Sequence, residues 1–131
     1  MYIRFITQYE NDYEEMRTGV FRAANYLRKS EFIDDYDRQR LDRVWVWFND
    51  YLDAPDRFNH SKNRNAPYIS LSWFKDTSTK HIARMYEMVG ILEQYGMPVK
   101  KIRRRNPGLV VYEDDYQVSC IPNRPDKRLV R

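Results

Sequence analysis

The residues of this sequence best suited to recognising another molecule form a basic run in its last third. Five cations lie within six positions, interrupted by one isoleucine: Lys100, Lys101, Arg103, Arg104 and Arg105. Ammonium and guanidinium groups form charge-assisted hydrogen bonds with phosphate and carboxylate oxygens, and arginine can do so bidentately. The run therefore predicts a surface that binds a nucleic-acid backbone or an acidic protein surface.

The distribution of charge supports this hypothesis. Residues 1–96 contain 14 Lys and Arg against 15 Asp and Glu, whereas residues 97–131 contain 9 against 4. Further cations follow the run and could extend the same surface: Arg124, Lys127, Arg128 and Arg131. Such an asymmetry bears on the partners that a surface attracts and not on the fold. Binding through five to nine cations would weaken steeply with salt.

Alternation along the basic run predicts an edge strand. Lys101, Arg103 and Arg105 would share one face, and Lys100 and Arg104 would flank Ile102 on the other. Cations on an edge strand also protect a sheet against pairing with other chains, which requires no ligand. Aromatic residues on neighbouring strands could stack bases, but the glycine-aromatic signature of the common RNA-binding sheet is absent.

A second pattern of polar residues is scattered along the chain. Arg4 lies on a predicted first strand, Ser70-Leu71-Ser72 on a later strand, and Glu113 near the end of another. In this order they resemble the Arg, Ser-Thr-Ser and Glu triad of ADP-ribosyltransferases, which implies NAD binding by Arg4, Ser70 and Ser72, with Glu113 positioning the acceptor. The match departs from that family at Leu71, where a Thr is usual, and at Val111, where many members have a second acidic residue.

Metal and nucleophile chemistry have little support in the sequence. His60 falls in a predicted loop and His81 at the start of a predicted helix, with no other His or Cys at ligand spacing. The single cysteine, Cys120, has apolar neighbours and is interpreted as a packed strand thiol. Phosphate-binding glycine loops and the Gly-x-Ser-x-Gly motif are absent. We therefore expect no metal and no favoured catalytic residue.

Hydrophobic periodicity predicts an α+β fold with a mostly antiparallel sheet of about five strands, three helices and the order β-α-α-β-α-β-β-β. The predicted elements are a strand over 2–7, helices from about Asp12 to Ser30 and from Asp34 or Asp35 to Ala54-Pro55, a strand from Ile69, a helix from Asp76 to Gly96, and a three-stranded meander over 99–122. Residues 56–67 are predicted to form an exposed loop.

Length and composition indicate one domain over 1–122 and a mobile basic polar tail over 123–131. With 42% hydrophobic and 15% aromatic residues in 131, the chain is expected to fold. The absence of a long apolar run or signal peptide, and the lone cysteine, predict a soluble cytoplasmic protein with no membrane partner.

Several short segments resemble a group of small uncharacterised bacterial and phage-like proteins. The matching segments are Tyr2-Ile3-Arg4-Phe5, Ser72-Trp73-Phe74-Lys75, His81-Ile82-Ala83-Arg84-Met85 and Val110-Val111-Tyr112-Glu113-Asp114. This resemblance implies a compact domain and no particular activity. We therefore interpret the protein as a non-enzymatic interaction domain that binds an acidic protein surface or a nucleic-acid backbone through its basic strand and tail. Such a domain could act in defence, counter-defence or regulation. The alternative is a small NAD-consuming enzyme that resembles ADP-ribosyltransferases.

Overall fold

The fold is α+β, and the element order predicted from the sequence is confirmed with one additional strand. A computed structural model describes residues 1–10, 15–55 and 69–129, with side chains described at 1–7, 19–55 and 69–126. The elements are β1 (Tyr2–Glu10), β2 (Glu15–Gly19), α1 (Val20–Arg28), α2 (Asp35–Tyr51), β3 (Leu71–Lys75), α3 (Thr79–Gln94), β4 (Val99–Arg104), β5 (Leu109–Glu113), β6 (Gln117–Ile121) and a 3-10 helix (Arg124–Leu129).

Strand β1 organises the sheet because it pairs with three others, all antiparallel. Along one side it pairs with β4, from Tyr2 opposite Arg104 to Thr7 opposite Val99. Along the other side it pairs with β3 only at Tyr2 and Ile3, and with β2 only from Ile6 onward. Beyond β3 the sheet continues through β6 to β5. Strand β1 therefore passes from one neighbour to another on this second side.

Two details of the predicted topology are wrong. The first helix begins at Val20 and not near Asp12, because β2 continues to Gly19 and pairs with the second half of β1. The last three strands do not form a meander either, since β4 pairs with β1 while β5 and β6 form a hairpin. In both cases a ladder with β1 determines where the segment lies, and such a distant partner leaves no local sequence signal.

The three helices pack on one face of the sheet and bury the larger apolar cluster. Ile3 and Phe5 of β1 and Phe74 of β3 meet buried residues of each helix, among them Leu27, Leu41 and Met88. A second apolar cluster is formed by sheet residues that alternate along the strands with those of the first: Leu71, Trp73, Ile102, Val118 and Cys120. The alternation of each strand therefore assigns successive residues to different clusters.

The ends of α2 agree with the sequence prediction. Asp34 is its N-cap, and its side chain accepts a hydrogen bond of 2.8 Å from the backbone N–H of Asp37. Such a cap satisfies one of the free N–H groups of the first turn. The helix ends at Tyr51, before Ala54 and Pro55, where the predicted stop lies.

The segment after Pro122, which the sequence predicts to be a mobile tail, contains secondary structure in its described part. Residues Arg124–Leu129 form a 3-10 helix, and Asp126 within it is buried. The predicted loop over 56–67, which includes His60, lies outside the described residues. Among the helices that the structure describes, none combines the length and the apolar character needed to cross a membrane.

Candidate functional site

Strand β4 carries the basic run and has one strand neighbour. It pairs with β1 through the whole stretch Val99–Arg104, and no other described strand pairs with it. In an antiparallel edge strand, alternate backbone N–H and C=O groups point away from the sheet. The predicted edge position therefore agrees with the described pairing, and a row of cations accompanies this edge.

Within Val99–Arg104 the side chains of β4 alternate as the sequence predicts, but the predicted face-sharing of Arg105 is wrong, because the strand ends at Arg104 and Arg105 lies in a bend. Ile102 is buried in the second apolar cluster, so Lys100 and Arg104 flank it on that face. Lys101 lies opposite Phe5 on the helix-covered face, where its Nζ donates a 2.9 Å hydrogen bond to the Tyr86 hydroxyl of α3. The ammonium group also lies 5.6 Å from the centre of the Tyr86 ring. Lys101 is therefore partly engaged within the chain, although it remains exposed.

Arg104 differs from the other cations because it has an acidic partner. Its Nε and Nη2 each donate a 2.9 Å hydrogen bond to Asp126, one to each carboxylate oxygen. Hydrogen bonding to this carboxylate raises the pKa of Arg104 above its usual value. The side chain of Asp126 is only 4% exposed. Arg104 therefore fixes the 3-10 helix to β4, and its guanidinium is less available to an external partner than the sequence suggests.

The remaining predicted cations divide into described and undescribed groups. Lys100, Arg103, Arg105 and Arg124 are exposed, and none of them forms an ion pair within the described part of the chain. The side chains of Lys127 and Arg128 lie outside the described residues. Four cations around β4 are thus open to an anionic partner.

The four residues of the transferase-like pattern do not meet in one cleft. Arg4 Nη1 donates a 2.9 Å hydrogen bond to the backbone carbonyl of Ser72, but the Ser72 hydroxyl is paired with Ser119 Oγ at 2.8 Å. Glu113 lies on β5, which β6 separates from β3, and its carboxylate is 2.7 Å from Lys75 Nζ. Ser70 precedes β3. The arrangement brings Arg4 and Ser72 together and leaves Glu113 in an ion pair elsewhere.

The described histidine and the cysteine have structural surroundings. His81 is buried, its Nε2 is 2.8 Å from the Tyr51 carbonyl, and its ring centre is 4.3 Å from that of Tyr116. Burial raises the pKa of Cys120 to about 11, which keeps the thiol protonated at neutral pH. Across the described residues, no group of three or more His, Cys, Asp or Glu side chains could hold a metal ion.

An open groove of about 440 Å³ lies between α2 and α3 and also carries cations. Arg40 and Arg84 line it, but each has an ion pair within its own helix, with Asp37 and Glu87. Arg84 also lies 5.4 Å from the centre of the Trp47 ring. Two of its cations are therefore already engaged within the chain, whereas the third, Arg43, forms no ion pair with the described residues.

Sequence reasoning missed a small cavity where β1 passes from β3 to β2. Arg4, Gly19, Ser72 and Trp73 line this cavity of about 50 Å³, together with apolar side chains of the core. Burial lowers the pKa of Arg4 to about 10. The one feature of the local sequence that points to this cavity is an arginine within the otherwise apolar stretch from Ile3 to Ile6. The position of its side chain depends on strand pairing that the sequence does not reveal.

Comparison of the chain with protein-family models, curated proteins and solved structures finds no match.

Proposed function

We propose that this protein is a non-enzymatic interaction domain that binds an anionic macromolecule along β4. The observation that carries the proposal is the set of four exposed cations around one edge strand, none of them in an ion pair within the described chain: Lys100, Arg103, Arg105 and Arg124. Lys101 adds a fifth charge beside Tyr86. The partner supplies phosphate or carboxylate oxygens, and no covalent bond is made or broken.

The spacing along β4 favours a partner with regularly repeated charges. Lys101 and Arg103 are two residues apart on one face of β4, and this spacing corresponds to about 6.6–6.8 Å, while Arg105 lies just beyond the end of the strand. Repeated negative charges are a property of nucleic-acid backbones, and their binding releases counterions. We therefore place a nucleic-acid backbone first and an acidic protein surface second. The proposed setting is the bacterial cytoplasm, in defence, counter-defence or regulation.

The first test is fluorescence anisotropy with single-stranded and duplex DNA and RNA across a salt series. The test variant is Lys100→Glu/Arg103→Glu/Arg105→Glu, which leaves Arg104 and its Asp126 partner intact. We expect binding to the unaltered protein whose logarithmic affinity falls with log salt by about 0.7–0.9 per neutralised phosphate. The variant should lose at least tenfold in affinity.

A matched control reverses three exposed cations elsewhere, Arg22→Glu/Arg43→Glu/Lys80→Glu, so that both variants change the net charge equally. Retained binding by this control supports β4 as the site, whereas an equal loss in both variants contradicts it. If nucleic acid does not bind at low salt, polyglutamate is titrated in its place. Failure of both polyanions to bind would overturn the proposal and leave edge protection as the role of the cations.

A further inference from the structure

The passage of β1 from one neighbour to another leaves a local gap in the sheet. On this side β1 pairs with β3 at Tyr2 and Ile3 and with β2 from Ile6, so neither strand pairs with it at Arg4 and Phe5. The Arg4 side chain reaches β3 here by donating from Nη1 to the Ser72 carbonyl. A cavity of about 50 Å³ adjoins it.

Among the described residues, none offers an acceptor to one edge of the Arg4 guanidinium. Its Nε is fully buried and makes no hydrogen bond, and no described residue accepts from Nη2. This group lies against Gly19, since a Cβ added there would be 3.0 Å from Nη2. The Nε and Nη2 donors of a guanidinium lie side by side and match the two oxygens of one oxyanion. The free edge is therefore of the kind that binds such a group bidentately.

Two other features of the cavity also supply donors. Trp73, which is 1% exposed, lines the cavity, and its Nε1 has no hydrogen-bond partner. Gly19 is the N-cap of α1, which has no side-chain cap and no acidic residue in its first turn. The first N–H groups of a helix carry partial positive charge and need acceptors. Three features that carry donors thus adjoin a cavity whose described lining includes no carboxylate; Gln117 also lines it, with its Nε2 donating to the Asp53 carbonyl and to Asp114.

The electrostatics of this arrangement are unfavourable without a further group. A desolvated guanidinium beside the positive end of a helix is costly, because buried charges normally require a counter-charge. The lowered pKa of about 10 still leaves Arg4 protonated at neutral pH. Arg4 as a whole keeps partial exposure, although its Nε is buried. A mobile anion from solution would remove the imbalance.

We infer that the cavity beside Arg4, Gly19 and Trp73 is a binding site for a small singly charged oxyanion, specifically a carboxylate group. A single cation balances one negative charge, whereas a phosphate dianion would leave an uncompensated charge among apolar side chains. The cavity volume of about 50 Å³ suits a group of this size. Phe5, Phe21 and Phe74 are among the apolar residues of the lining and suit the carbon attached to the carboxylate. This site does not depend on the cations of β4.

The test uses the full chain, titrated with formate and acetate against sodium chloride at matched ionic strength. The chain has three tryptophans, so three indole N–H signals are expected in a nitrogen-15 correlation spectrum, and Trp73→Phe identifies one of them. We expect the Trp73 signal to move in a saturable manner with formate, and the melting temperature to rise by about 3 °C or more at saturation. Sodium phosphate and chloride should produce smaller changes.

Two variants locate the site. Gly19→Ala has an allowed backbone conformation, with φ −69° and ψ 155°, but places its Cβ against Arg4, so it should weaken formate binding while keeping the charge. Arg4→Met should remove the response to formate altogether. An equal response to chloride, an unmoved Trp73 signal, or an unchanged response in both folded variants would overturn the inference and leave only water in the cavity. The β4 triple variant should bind formate normally, so this test and that of the basic strand can fail separately.

Discussion

Arg104 and Asp126 join the basic strand to the C-terminal 3-10 helix through two parallel hydrogen bonds of 2.9 Å. The carboxylate is almost fully buried, whereas the guanidinium is 36% exposed. One member of the basic run is thereby a structural residue, and the backbone of the terminal segment is held beside β4.

We predict that Asp126→Asn destabilises the protein. The amide can keep one of the two hydrogen bonds but loses the charge that Arg104 requires, and a hydrogen bond to a charged group contributes about 1.5–3 kcal/mol. The expected loss is about 1–2 kcal/mol in urea denaturation, reduced because Arg104 is partly exposed. The exposed Asp115→Asn serves as the control. Equal stability of the two variants would contradict the assigned role of Asp126.

The lowered pKa of Asp37 predicts how the stability of the protein depends on pH. A 2.7 Å hydrogen bond from the Tyr95 hydroxyl, the largest cause, lowers the pKa of this carboxyl, with Arg40 and the Asp34 contact acting in the same direction. A depressed pKa means that stabilisation is present above the unfolded value of about 3.9 and is lost as the pH falls through the folded value.

We therefore expect the unaltered protein to have a larger free energy of unfolding than Asp37→Asn at pH 7. This difference should decrease as the pH falls below about 4. Urea denaturation of both proteins between pH 7 and pH 3 measures this difference. Tyr95→Phe should raise the pKa of Asp37, as followed by carboxyl NMR. A difference that stays constant down to pH 3 would rule out the linkage.

Two glycines provide an opposed pair of substitutions. Gly90 is exposed within α3 and a Cβ there meets nothing within 4 Å, so Gly90→Ala should stabilise the protein by about 0.5–1 kcal/mol. Gly108 has φ +131°, and a Cβ there would clash with the Ile121 carbonyl oxygen. Gly108→Ala should cost at least about 2 kcal/mol. Thermal denaturation measures both, and shifts of the same sign would contradict this account.

The sequence predicts the elements of this fold better than their partners. Helices α2 and α3 have clear apolar stripes and end signals, and β4 has an alternation that survives in the structure. Strand β2 was hidden because Met16, Val20 and the alanines that follow have helical spacing across the boundary at Gly19. Local periodicity cannot distinguish a strand that leads directly into a helix from an earlier helix start.

The candidate sites show the same division. The exposure of Lys100, Arg103 and Arg105 follows from charge and alternation, which are local properties. The surroundings of Arg4 do not follow from local properties. Its donors lack partners among the described residues because β1 pairs with β3 before Arg4 and with β2 only after Phe5. The contact of Arg104 with Asp126 was also hidden, since it depends on how the terminal helix returns to the sheet.

The pairing of β1 with β4 has a consequence for how the chain acquires its structure. Residues 2–7 are synthesised well before residues 99–104, with which they pair along the whole of β4. Contacts between such distant segments slow folding, and an unpaired apolar strand is prone to association with other chains. A nascent chain that stalls before Val99 therefore exposes one side of its central strand, and completion of the sheet waits for the basic segment.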